Sequence, residues 1–285
     1  MKNSKKLITA VLSLGLLLTA CSSKDDNNSN TVSSNNVSNT QQAEKIVIGV
    51  SPMPHAEIAE VAKDYLAKEG IELEIKVFDD YVTPNNALDE GDIDANFFQH
   101  HPYLENFNKE NGLSNVAIAN VHIEPLGLYS KKYKSFDEIE DGAEVIIPND
   151  PTNGARALKL LEDNGLIKID ENAGTDATEN DITDNPKNLK FVAMEAPSIS
   201  RTFDDSDLAI INSNYALQDG LSPVDDTIAT ESTDSPYANV IAVRKEDKDS
   251  EKSKKLIEAF GSKEVEDFIN EKYKGAVIPA FKELQ

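Results

Sequence analysis

From Lys45 onward, short apolar runs alternate with amphipathic segments, and this alternation confines the chain to an α/β architecture. Ile46-Val-Ile-Gly-Val50 is an apolar run that ends at Ser51-Pro-Met-Pro54, the pattern of a buried strand followed by a turn. The next segment, 55–68, gathers Ile58, Ala62, Tyr65 and Leu66 on one helical stripe, with Glu57, Glu60, Lys63, Asp64 and Lys68 largely elsewhere. Residues 72–78 alternate polar and apolar, as a strand does. Together these predict one β-α-β unit, crossing over with a right hand. Further strands are expected near 95–98, 116–121, 126–129, 145–147, 189–194, 208–211 and 240–243, and helices over 102–110, 152–164, 250–260 and 263–272. Residues 165–188 are acidic and weakly periodic, which reads as a surface excursion with one short helix. No period of roughly 20–50 residues recurs, so repeat architectures are excluded.

The start of the chain stands outside this pattern. Met-Lys-Asn-Ser-Lys-Lys precedes an apolar run over 7–18, and Leu18-Thr19-Ala20-Cys21 closes it, as in a secretory signal ending in a bacterial lipobox. The run has 12 residues, whereas a permanent helical span needs about 20. Residues 1–20 are therefore expected to be removed, leaving Cys21 as the lipidated first residue. It is the only cysteine, so no disulfide can form within the chain. Residues 22–44 are Ser/Asn-rich and cannot bury enough surface to offset their ordering entropy. Such a tether spans on the order of 25–30 Å. Loss of Lys2, Lys5 and Lys6 with the signal takes the formal charge from −23 to −26, which argues against a nucleic-acid partner.

Four strings carry a resemblance: Phe98-Gln-His-His-Pro-Tyr103, Pro148-Asn-Asp-Pro-Thr-Asn-Gly-Ala-Arg156, Asn185-Pro-Lys-Asn-Leu189 and Ser235-Pro-Tyr-Ala-Asn239. In this order, beside a lipobox, they resemble the methionine-binding lipoproteins of the MetQ/NlpA family, from about Lys45 to the C-terminus. The resemblance implies a two-lobed periplasmic-binding-protein fold of type II-like form, with the ligand in the cleft. Lobe 1 would be 45–127 plus 236–285, and lobe 2 would be 128–235. It also implies a lipid-anchored protein on the extracytoplasmic face of the cell membrane. Such a protein captures methionine, as the L- or the D-isomer, and delivers it to the permease and ATPase of an ABC importer. A methionine-containing dipeptide or another small amino acid would suit the same role.

An amino acid presents a carboxylate, an ammonium and a side chain, and a buried site must satisfy each charge. Arg156 can grip a carboxylate with its planar fork, and Asp150-Pro-Thr152 looks like a helix start, where free N–H groups attract anions. On position alone Arg156 could equally be a surface arginine; the resemblance assigns it to the ligand. Asn212 and Asn239 follow a strand and a turn, where asparagine is commonly a turn former, and the resemblance makes both ligand contacts. Tyr81, Phe98 and Tyr103, joined by His100, are the aromatic candidates for a thioether slot. Phe98 and Tyr103 could instead be core.

His100 and His101, with His55, His122 and Glu124, also offer groups that bind zinc or manganese, which would make a metal-capture lipoprotein. The histidines fall in no metal-motif spacing, and the resemblance gives His100 to an organic ligand, so neither metal nor cofactor is expected. Enzyme signatures are missing: no Gly-x-Ser-x-Gly elbow, phosphate-binding glycine loop or His-Glu-x-x-His helix occurs. Acidic pairs such as Asp79-Asp80 and Asp204-Asp205 read as solvated surface.

Overall fold

In the computed structural model, which describes residues 44–284, the alternation becomes two mixed sheets with helices on their faces. The signal segment, Cys21 and the tether up to Ala43 lie outside the described residues. Glu44, read as the end of the tether, instead opens the first strand.

The first part of the chain runs β1 (Glu44–Val50), α1 (Glu57–Lys68), β2 (Ile71–Val77), α2 (Thr83–Asp89), β3 (Ala95–His100), α3 (His101–Asn111) and β4 (Val116–Ile123). There follow β5 (Gly127–Tyr129), β6 (Glu144–Pro148), α4 (Pro151–Asp163), β7 (Lys168–Ile169), β8 (Ile182–Asp184), β9 (Lys190–Met194) and α5 (Ala196–Thr202). The rest is β10 (Leu208–Ile211), α6 (Ser213–Gln218), β11 (Thr227–Thr230), β12 (Ala238–Val243), α7 (Glu251–Phe260), α8 (Lys263–Tyr273) and β13 (Ile278–Glu283).

One sheet has the order β13-β4-β12-β3-β1-β2, the other β11-β5-β10-β6-β9. The expected β-α-β unit is present, with β1 and β2 parallel from Glu44↔Ile71 to Val50↔Val77. The chain passes from the first sheet to the second after β4 and returns before β12. On return, β12 lies antiparallel between β3 and β4, pairing Asn239 with His100 and with His122.

Strands covered on both faces read as continuous apolar runs, which is why β1, β10 and β12 showed so clearly. Ile46, Ile48 and Phe97 pack against Ile58 and Leu66 of α1 and against Phe260 and Ile269 of α7 and α8. In the second sheet, Val145, Ile147, Leu208 and Ile210 pack on Leu158 and Leu161 of α4. The opposite face of that sheet, with Ile146 and Ile211, packs on Ile199 of α5 and Tyr215 of α6.

Two expectations need correction. The excursion 165–188 contains no α-helix; it forms the small antiparallel pair β7–β8 with two single turns of 3₁₀-helix. Asp80 is no simple surface acid, because its carboxylate accepts the backbone N–H of Val82 and of Thr83, each at 2.7 Å. That turn fixes the start of α2 and the backbone on which Tyr81 stands.

Candidate functional site

Strand and helix ends from both sheets converge on one cavity. Tyr81, Phe98, His100, Tyr103, Arg156, Asn212 and Asn239, all singled out from the sequence, line it. Gln99, Glu124, Asn153, Ser213 and Asn214 complete the wall. His101, the neighbour of His100, points elsewhere, toward Glu105 at 3.8 Å on the surface of α3.

One wall is aromatic. Tyr81 lies 5.9 Å from Phe98 and 5.8 Å from Tyr103, centroid to centroid, and is backed by Tyr215 at 5.1 Å. These rings are fixed by polar tips: Tyr103 donates to the carbonyl of Tyr81 at 3.1 Å, and Tyr81 donates to Asn214 Oδ1 at 2.6 Å. The second contact joins the loop after β2 to α6, elements that belong to different sheets.

His100 ends β3 and begins α3. Its Nδ1 accepts the backbone N–H of Tyr103 at 3.1 Å, so the ring itself caps the helix. A neutral ring that accepts at Nδ1 carries its proton on Nε2, which donates to Asn153 Oδ1 at 3.2 Å. Burial, and then the charge of Arg156, push this histidine down to about 3, so it is neutral at physiological pH. Asn153 Oδ1 also accepts from Asn212 at 2.9 Å, while its amide nitrogen donates to the Asp150 carboxylate.

Arg156 is 4% exposed on α4, which rules out the surface reading. Its guanidinium stacks over Tyr237, 4.4 Å from the ring centroid. Nε donates to Glu231 at 2.9 Å, and Nη2 reaches the same carboxylate and the backbone carbonyl of Glu124 at 2.8 Å. Nη1 has no hydrogen bond among the described residues. Nε and Nη2 are thus held by the protein, and Nη1 remains for an anion. Glu231, 75 residues away, had no signal in the sequence.

Glu124 lies just beyond β4, 6% exposed, with Oε1 2.6 Å from His122 Nε2 and 3.2 Å from His55 Nε2. His55 Nε2 also lies 3.0 Å from Asn239 Oδ1. Burial pushes His55 down to about 4 and His122 to about 3, and pushes the Glu124 carboxyl up, against the pull of His55 and Arg156. As a sequence pattern these three read only as metal-ligand candidates. They do meet, but well apart from His101, and with Glu124 alone facing the cavity.

A cavity that pairs an open guanidinium nitrogen with an aromatic wall and amide donors suits a small molecule with an anionic and an apolar end. The model of the NlpA lipoprotein family matches residues 46–281. The chain belongs to the NlpA lipoprotein family. Within that family it is 45% identical over 236 residues to the D-methionine-binding lipoprotein MetQ of Escherichia coli K12, covering 82% of this chain and 87% of that protein. A nutrient-binding protein from Burkholderia cenocepacia, solved bound to methionine, superposes with a TM-score of 0.81 at 45% identity. That match covers 83% of this chain and 100% of the other. An ABC transporter periplasmic substrate-binding protein from Coxiella burnetii gives 0.79 at 42% identity, over 82% of this chain and 100% of that one. The fold is that of the periplasmic substrate-binding proteins, and among the described residues no helix is long and apolar enough to cross a membrane.

Proposed function

We propose that this chain captures methionine in the cavity between its two sheets and delivers it to the permease and ATPase of an ABC importer. The observation that carries the reading is the meeting of the open Arg156 Nη1 with the Tyr81, Phe98 and Tyr103 wall in one cavity. A carboxylate on Arg156 leaves the rest of an amino acid directed along aromatic faces, and a thioether gains about 0.3–1.5 kcal/mol beside a ring. The family membership and the methionine in the Burkholderia neighbour support the same ligand. His100, Asn212 and Asn239 act in this reading as neutral polar contacts, which fix the ligand without adding charge.

For delivery, the lobes 45–127 plus 236–285 and 128–235 would hinge about the two crossings, after β4 and before β12. Cys21 would hold the protein by a lipid at the extracytoplasmic face of the membrane.

The experiment is mass spectrometry of the molecule released when purified protein is denatured, followed by displacement of labelled methionine from the refolded chain. Methionine is the expected release product. Norleucine, which replaces sulfur by a methylene, should bind about fivefold more weakly. Alanine should be weaker by several kcal/mol, since it leaves the apolar slot empty. A released dipeptide, or alanine or glutamine competing as well as methionine, would overturn the assignment.

A further inference from the structure

We propose that Glu124 is the counter-ion for the ammonium group of the captured amino acid, held for that task by His55 and His122. The inference rests on the reading of the cavity as a methionine site.

Among the described residues His122 Nδ1 is buried without a hydrogen-bond partner, and His55 Nδ1 has none within bonding geometry, with the Met53 backbone beside that ring. A neutral imidazole with its proton on such a nitrogen would bury an unpaired donor, whereas a proton on Nε2 meets the carboxylate. Both Nε2 atoms therefore donate, His122 to Glu124 Oε1 at 2.6 Å and His55 to Asn239 Oδ1 at 3.0 Å, and His55 Nε2 also lies 3.2 Å from Glu124 Oε1. The Glu124 carboxylate is thus held by His122 and by the backbone N–H of Asn214, and it lines the cavity.

Among the described residues Glu124 has ion-pair geometry only with the two histidines, whose rings are too buried to hold a proton at neutral pH. Arg156 commits Nε and Nη2 to Glu231 and touches Glu124 only at its backbone carbonyl. Arg156 and Glu231 thus form one pair, and the Glu124 carboxylate has no cationic side chain bonded to it among the described residues. A ligand ammonium would give Glu124 that partner, and the ligand carboxylate would take Nη1 of Arg156.

The two subsites are neighbours, because the guanidinium bonds the main chain of the residue whose side chain would hold the ammonium. Such proximity suits an amino acid, whose two charged groups share one carbon, over a peptide that separates them. A divalent ion is the other cation the triad could hold. Zinc ligands about 2.0–2.2 Å from the metal stand more than about 3 Å from one another. The 2.6 Å between His122 and Glu124 is instead a hydrogen-bond separation.

The test compares methionine with its hydroxy analogue, in which a hydroxyl replaces the ammonium, on the ligand-stripped, refolded chain and on Glu124→Gln. Wild type should prefer methionine by at least about a hundredfold, the loss typical when a buried charge is left unpaired. In Glu124→Gln methionine should weaken while the analogue changes little, so that the gap falls below about tenfold. Wild type that binds the two ligands within fivefold overturns the proposal even if the variant does not fold. A folded Glu124→Gln protein that keeps the full gap overturns it too. Zinc chloride titrated into the stripped wild type should give no stoichiometric uptake; uptake that competes with methionine would assign the triad to a metal. Wild type that binds no amino acid at all would remove the methionine reading together with this one.

Discussion

Arg156 shows how much of a single side chain's chemistry is decided by its partners. Its type and its place after a helix start suggested a carboxylate grip, yet half of the fork is occupied by Glu231. A buried pair of this kind repays its desolvation only when both groups stay bonded. Arg156→Ala should therefore strand Glu231 as well as the ligand carboxylate, and lower methionine affinity by about 2–5 kcal/mol in calorimetry. A loss of less than threefold would show that the ligand does not use the guanidinium. Glu124 carries the opposite lesson. Its position two residues after His122 at a strand end was visible, but nothing local distinguished a metal ligand from a counter-ion for an organic cation.

At the scale of the element, α4 does most to assemble the polar wall. Asp150 caps it, accepting the backbone N–H of Asn153 at 2.9 Å, the Thr152 hydroxyl at 3.0 Å and the Asn153 amide. Asn153 in turn supports His100 and Asn212, so the cap positions three cavity residues through one carboxylate. Gly154 lets the helix sit against the end of β6, since a Cβ there would lie 3.1 Å from the Pro148 carbonyl oxygen. Asp150→Ala should cost about 0.5–2 kcal/mol of stability, as lost N-caps do, and weaken methionine several-fold through Asn153. Denaturant midpoints and calorimetry on the same variant check both; a loss of stability with unchanged affinity would show that Asn153 holds its place without the cap. The helix itself was legible at 152–164 because its apolar stripe is strong, and it forms one residue earlier. By contrast β13 was missed: it contains Pro279, which argues against a central strand but is tolerated on this edge strand, beside a shift of register.

For the whole molecule, the three buried histidines link folding to pH. His55, His100 and His122 are held neutral, pushed down to about 4, 3 and 3 from an ordinary value near 6.5. Between about pH 6.5 and 4 the unfolded chain binds protons that the folded chain refuses. Their contribution is thus present above pH 6.5 and declines as pH falls through that window. The slope is up to about 1.4 kcal/mol per pH unit for each ring. Glu124 works the other way, since a raised carboxyl favours the fold at low pH, but it is one group against three. The urea midpoint should fall between pH 7 and pH 5, and fall less steeply in His122→Gln. Equal midpoints at the two pH values would mean that the rings protonate freely in the fold. Anchoring also belongs to this scale. Palmitate labelling of the chain in its host should be lost in Cys21→Ala, and label retained by that variant would place the lipid elsewhere.

The sequence by itself determined the alternation of strands and helices, the strong stripes of α1 and α4, and seven residues that the structure brings to one cavity. These were legible because burial imposes periodicity over short windows and because the family strings keep their order. Only the tertiary structure decided that β12 returns antiparallel between β3 and β4, setting Asn239 beside His100 and His122. It alone paired Arg156 with Glu231 and gathered His55, His122 and Glu124 around one oxygen. The reason is physical: a side chain's type fixes what it can bond, but which strand ends meet depends on contacts across the whole chain. His55 and Asn239, 184 residues apart, touch only because the sheet closes between them.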